Sequence, residues 1–212
     1  WCRKWEVPRK VLHSSIGFVT LQRYMADGNP SVIAVYLSKA LIVIWIADVL
    51  RFNSKRFSSL YETLLGFLMR PSEKNDWNGV IFYLLGVIIS LSTLPLDISV
   101  LSILILSWVD TSASIVGRLY GHLTSSLPSP PFARRKSLAG FLGAFLTGTI
   151  TSSLFWSSWA SKGPARLTGQ LPTPKSNMSL LGLSIGCGLV GAVAEAVEVF
   201  GLDDNLIVPV LS

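Results

Sequence analysis

The sequence predicts an all-α, polytopic bundle of six to seven membrane helices plus a cytosolic amphipathic helix, folded as one domain over 1–212. Three observations predict it. Half of the 212 residues are apolar and only 14% are charged, against about 25% charged in water-soluble domains, and the mean hydropathy is +0.53. The apolar residues gather into runs close to the roughly 20 residues that cross a bilayer. Of the 18 Lys and Arg residues, most fall on one side of the alternating segments.

The first run, 11–25, is short and carries His13, Ser14, Ser15, Gln22 and Arg23, so as a span it needs shielding by protein or a partly interfacial position. The second, 32–50, is long and almost uninterrupted up to Asp48. Segment 57–69 is amphipathic and reads as a surface-lying or re-entrant helix. Runs 79–96, 98–116, 138–159 and 178–200 are apolar enough to span, whereas 206–211 is too short. No cleavable signal opens the chain, and a start at Trp1 without methionine suggests residues upstream.

Counting six crossings from Val11, one side collects Arg3, Lys4, Arg9, Lys10, Arg51, Lys55, Arg56, Arg70, Lys74, Arg118, Arg134, Arg135 and Lys136. The other has only Lys162, Arg166 and Lys175. The positive-inside rule then places both termini and the loops at 51–77 and 117–137 in the cytosol. Asp48, Asp110, Asp203, Asp204, Asn205 and His13 all fall near that face. Carboxylates are costly in lipid, and gathering them at one leaflet suits a site served by a water-soluble cosubstrate.

Several classes drop out. Cys2 and Cys187 make no disulfide framework, and two histidines are too few for a His-based zinc site. A net charge of +6 in so apolar a chain fits loops against anionic lipid rather than a nucleic-acid polymer. There is no P-loop sequence, and Gly186-Cys187-Gly188-Leu189-Val190-Gly191 lies inside a span without a preceding strand. It reads as close helix packing, repeated at Gly182/Gly186 and Ala144/Gly148, rather than a dinucleotide site.

Chemistry is concentrated in four places. At helical spacing Asp110, Ser114 and Gly117 share a face, and Gly117 and Gly121 allow a turn whose amides would hold phosphate oxygens. An intramembrane Asp is a functional candidate by default; the structural alternative pairs it with Arg51 or Arg118. Arg134-Arg135-Lys136-Ser137 serves either as a topology anchor or as a polyphosphate clamp near a helix start, and its position directly after the Asp-Gly segment favours the clamp. Gly188, Gly191, Glu195 and Glu198 form a stripe that lines a lipid head-group pocket, or else Glu198 is already interfacial and only Glu195 needs a partner. Beyond it, Asp204 and Asn205 offer hard oxygen ligands for magnesium, or form a solvated acidic turn.

Arg9-Lys10-x-x-His13-x-x-x-Gly17, Arg70-x-x-Glu73, Asp110-Thr-Ser-Ala-x-x-x-Gly117-Arg118-x-x-Gly121, Arg135-Lys136-Ser137-Leu138-Ala139-Gly140 and Glu195 through Asp204-Asn205-x-x-x-Pro209 resemble, in order, the CTP-dependent lipid kinases. That family includes fungal diacylglycerol kinase, which the size and the Asp-Thr-Ser-Ala wording resemble most, together with dolichol and phytol kinases and, more distantly, phosphatidate cytidylyltransferase. Val109 stands where relatives often carry Gly, and the resemblance implies a soluble extension ahead of Trp1. It implies phosphoryl transfer from CTP to diacylglycerol, at the cytosolic face of the endoplasmic reticulum and nuclear envelope. In that reading Asp110 with Asp204 and Asn205 hold magnesium or calcium, while Lys136, Arg135, Arg118, Ser114, Ser137 and the glycines at 117 and 121 bind the triphosphate. Glu195, Asp48 or His13 orients or deprotonates the lipid hydroxyl, and Gly188, Gly191 and Glu198 contact lipid. Cytidylyl transfer to phosphatidate and a small anion transporter are the competing readings; the oligomeric state stays open.

Overall fold

The computed structural model describes residues 7–26, 28–66, 69, 73, 76–129, 131–133, 136–163, 179–197 and 204–211, with the backbone alone at Ser161, Asp204, Ile207 and Leu211. Among them the chain is helical, and its only β features are the isolated bridges Ser126–Ser137 and Phe132–Val197. The helices are α1 (Val7–Met25), α2 (Pro30–Asn53), α3 (Lys55–Leu65), α4 (Gly79–Thr93), α5 (Leu96–Tyr120), α6 (Leu138–Leu154), α7 (Leu180–Ala196) and α8 (Asp204–Leu211).

Local chemistry sets most of the helix starts. Asn29, Ser54, Asn78, Ser137 and Ser179 each accept a backbone N–H of the first turn of α2, α3, α4, α6 and α7, the role short polar side chains play at N-caps. Pro30 follows Asn29 at the first helical position, where its missing N–H costs nothing.

Among the described residues, three helices are long and apolar enough to cross a membrane: Pro30–Asn53, Leu96–Leu123 and Leu138–Trp159. The expected runs at 79–96 and 178–200 appear as shorter apolar helices, Gly79–Thr93 and Leu180–Ala196. α2 is apolar and exposed almost all round, with Val43 and Tyr36 about two-thirds open, a surface suited to lipid and not to water. The segment expected to lie on the surface is α3, which buries Tyr61 and exposes Leu60 and Leu64.

At the centre runs α5, flanked by α1, α4, α6, α7 and α8. Leu104, Ile105, Leu106 and Val109 are fully enclosed. α6 packs antiparallel to both α5 and α7: a Cβ on Gly148 would stand 3.0 Å from Gly188 Cα and 3.4 Å from Val109, while one on Gly140 would meet Ala113 O at 3.0 Å and Gly117 Cα at 3.4 Å. Small residues let these backbones approach as they do in membrane bundles. The stripe expected at Gly182/Gly186 is not used in this way at Gly186, where a Cβ would meet nothing within 4 Å.

These contacts predict opposite outcomes for two alanine substitutions in α7. A Cβ at Gly188 would collide with Thr149 Oγ1 and stand 2.7 Å from Thr149 N and 2.8 Å from Phe145 O. Because two of these atoms are backbone, Gly188→Ala is expected to cost about 1–3 kcal/mol, the scale of overpacking. Gly186→Ala, which enters open space and removes a glycine from a helix interior, should stabilise by about 0.5–1 kcal/mol. Thermal unfolding of both variants in detergent reads the difference; equal midpoints would contradict the packing.

Candidate active site

Arg9, Lys10, His13, Gly17, Leu21 and Tyr24 are the buried residues of α1, spaced by one, three and four so that they form one face. That face lies on α5. A Cβ on Gly17 would meet the Trp108 indole at 2.6 Å, and Trp108 Nε1 donates to Ser14 O at 3.2 Å. The close approach brings Lys10 Nζ to Asp110 Oδ2 at 2.7 Å, with His13 Nδ1 3.6 Å from the same oxygen. All three residues are buried. The His13 ring stands edge-on to Tyr83 of α4, centroids 4.9 Å apart, and the Tyr83 and Ser107 hydroxyls are 3.1 Å apart. Asp110 therefore pairs with α1, and the expected structural pairing with Arg51 or Arg118 is not the one formed.

A second ionic group adjoins the first. Arg9 Nη1 donates to Glu73 Oε1 at 3.2 Å. Arg51 donates to Asp48 Oδ1 at 2.8 Å and to the carbonyls of Glu73 and Asp76 at 2.8 and 2.7 Å. Asp48 Oδ2 accepts the Asn78 amide at 2.9 Å. With both oxygens engaged and the residue fully enclosed, Asp48 is a latch between the end of α2 and the start of α4, which corrects its assignment to lipid. Asn78 Nδ2 donates to Tyr61 OH at 2.9 Å; burial raises the Tyr61 phenol above its ordinary value, opposed by that bond.

Asn205 of α8 joins this group. A Cβ on Gly79 would stand 2.8 Å from Glu73 Oε1, 3.3 Å from Asn205 Nδ2 and 3.5 Å from Arg9 Nη2. α8 is held there because Pro209 fills the space at Gly86 and its carbonyl accepts Ser90 Oγ at 2.7 Å.

Across α5, Lys136 Nζ donates to Glu195 Oε1 at 2.5 Å. Lys136 is partly open to solvent and Glu195 is buried. The loop and the end of α7 are joined nearby by Ala133 N donating to Ala196 O at 3.0 Å. Because α6 is antiparallel to both neighbours, Asp110, Lys136 and Glu195 all lie toward the same end of the bundle.

Two expectations about glycine change here. The helix runs unbroken through Gly117, and Gly121 N–H caps Gly117 O, so neither amide is open to phosphate. A Cβ on Gly121 would meet Ser137 Oγ at 2.9 Å; these glycines admit the α6 start, whose cap is Ser137 Oγ accepting Gly140 N. Gly188 and Gly191 likewise are filled by neighbours, Thr149 and Ile105 respectively, so they pack helices and do not line a lipid pocket. Ser114 is half-buried on the Asp110 side of α5, and Arg118 is exposed near its end. Arg135, Glu198 and Asp203 lie outside the described residues, as does the Asp204 side chain.

The donor chemistry fits a divalent ion only in part. Magnesium commonly takes one or two carboxylates, substrate phosphates and water. Among the described residues no group of three or more His, Cys, Asp and Glu is gathered, and Asp110 already carries the Lys10 ammonium. Asn205 sits with Arg9 and Glu73. An ion held by Asp110 would draw its other ligands from nucleotide and water.

Taken one by one, the residues pointed to no site role for Lys10, Arg9 or Glu73, and to Arg51 only as a structural partner of Asp110. The available signal was the spacing of Lys10, His13 and Gly17, which puts two ionisable groups on the face whose glycine admits another helix.

Among curated proteins, the chain is 45% identical over 212 residues to the CTP-dependent diacylglycerol kinase 1 of Schizosaccharomyces pombe, covering 100% of this chain and 92% of that protein. It is 41% identical to the proteins of the same name from Eremothecium gossypii and Saccharomyces cerevisiae, over 99% of this chain and 65% and 71% of theirs. No protein-family model and no solved structure matches it.

Proposed function

The chain belongs to the family of the fungal CTP-dependent diacylglycerol kinases, and on that premise we propose that it phosphorylates diacylglycerol with CTP, giving phosphatidate and CDP. The lipid hydroxyl oxygen bonds to the γ-phosphorus, the bond from that phosphorus to the β–γ bridging oxygen breaks, and the hydroxyl proton passes to a base. Such a transfer asks for charge neutralisation and an aligned hydroxyl more than for covalent work by the protein.

The observation that carries the reading is the pair of ionic groups, Lys10–Asp110–His13 and Lys136–Glu195, at one end of a membrane bundle. Lys136 neutralises phosphate oxygens after exchanging Glu195 for nucleotide, helped by Arg118 and Arg135. His13 or Glu195 takes the hydroxyl proton. When bound, magnesium or calcium supplies further charge neutralisation on the triphosphate, and Asp110 would hold it. The reaction takes place at the cytosolic leaflet of the endoplasmic reticulum and nuclear envelope, with six crossings that include α1, α4 and α7.

CTP labelled separately at the α and γ phosphates tests this, with diacylglycerol, dolichol, phytol and phosphatidate as acceptors in parallel. The expected result is γ label in phosphatidate. Label from the α position in lipid would make the protein a cytidylyltransferase, and γ label in dolichol or phytol alone would move the acceptor.

A further inference from the structure

Between α1 and the last third of α5 runs a groove of about 640 Å³, within the roughly 300–1,000 Å³ of small-molecule sites. Val11 and Phe18 form one wall, Ile115 and Leu119 the other, and all four are well exposed. The groove is thus open along its length to whatever surrounds the helices, and in a membrane that is lipid.

Its floor is set by Lys10, Ser14 and Thr111, whose polar groups are engaged within the protein and leave the open lining apolar: Ser14 Oγ donates to Thr111 Oγ1 at 3.3 Å, and Thr111 Oγ1 donates to Ser107 O at 2.8 Å. Lys10 reaches from the groove to Asp110 Oδ2, its apolar stem flanking the channel as long cationic side chains do. An apolar furrow open to lipid therefore leads to hydroxyls beside a buried carboxylate. A nucleotide triphosphate does not suit such walls, since they give its oxygens no donors. An amphiphile with an acyl chain and an uncharged hydroxyl head does.

The geometry points to this groove as the seat of a diacylglycerol acyl chain, with the glycerol hydroxyl at the Lys10, Ser14 and Thr111 floor beside Asp110. The assignment rests on the kinase reading above and adds where the lipid binds: it enters sideways from the leaflet between α1 and α5. The Gly188 and Gly191 stripe, closed by packing, takes no part.

Filling the groove tests the proposal. In mixed micelles with dioleoylglycerol and γ-labelled CTP, Val11→Trp and Ile115→Trp should each raise the KM for dioleoylglycerol about tenfold or more, the scale on which apolar pockets discriminate, and leave the KM for CTP unchanged. Dioctanoylglycerol should suffer less. Val43→Trp, on the exposed face of α2, should behave as the parent. In the unmodified protein, a diacylglycerol with a diazirine near its tail should label α1 and α5. Unchanged dioleoylglycerol KM in both folded variants, or label confined to other helices, would overturn the seat. Label on α1 and α5 without γ transfer to any diacylglycerol would uphold the seat and remove the kinase reading.

Discussion

Asp110→Asn is expected to lower turnover by about a hundredfold or more, the scale on which one preorganised electrostatic group acts, in a protein that still folds. The carboxylate is buried and holds the Lys10 ammonium at 2.7 Å with His13 Nδ1 close by. Asparagine keeps the shape and removes the charge. It also leaves a buried ammonium without its counter-ion, which costs several kcal/mol when a partner is simply deleted, so loss of activity alone would not separate chemistry from folding. The double substitution Lys10→Met with Asp110→Leu separates them, because it removes both charges. If the pair is only structural, that variant regains turnover; if Lys10 or Asp110 meets substrate, it stays inactive with a restored melting temperature. Near-parental turnover in folded Asp110→Asn would remove Asp110 from the site.

Lys136→Ala is expected to reduce turnover by a similar factor of about a hundred or more, through the opposite charge. Lys136 is the partly open member of its pair and Glu195 the buried one, so an incoming polyanion can take over the ammonium without moving α7. Alanine would leave Glu195 enclosed without that partner, and Lys136→Met with Glu195→Gln, which is neutral on both sides, controls for this. A clamp predicts that the neutral pair folds normally, stays slow, and binds CTP less tightly in equilibrium binding. Recovery of full activity by the neutral pair would make Lys136 a structural tie.

Burial explains which parts of this arrangement were legible beforehand. Lys136 and Asp110 stood out because each breaks an otherwise plain pattern, one as a basic run directly after the Asp-Gly segment and the other as a carboxylate within an apolar run. Lys10 and Arg9 did not stand out, since a basic residue at a helix start is the ordinary mark of sidedness. Only contact with α5 and with Glu73 shows that they are enclosed. Asp48 erred in the other direction: a carboxylate at a helix end suggests chemistry, and the backbone amide and guanidinium that engage it come from Asn78 and Arg51, one of them 30 residues away.

The glycines make the same point. Gly117, Gly121, Gly188 and Gly191 suggest turns or pockets when read along the chain, because a missing Cβ says that something comes near without saying what. In the folded protein the visitor is another helix in each case: Ser137 and Gly140 of the α6 start, Thr149 of α6, or Ile105 of α5.

Composition and local order were enough to establish an all-helical membrane protein and the residues by which it resembles its family, since hydropathy depends on near neighbours in sequence. Which ions pair, and which glycines face a helix instead of a ligand, depended on contacts between residues as much as 100 positions apart or more. A buried charge takes its partner from whatever helix packing places within reach, and no local pattern along the chain encodes that distance.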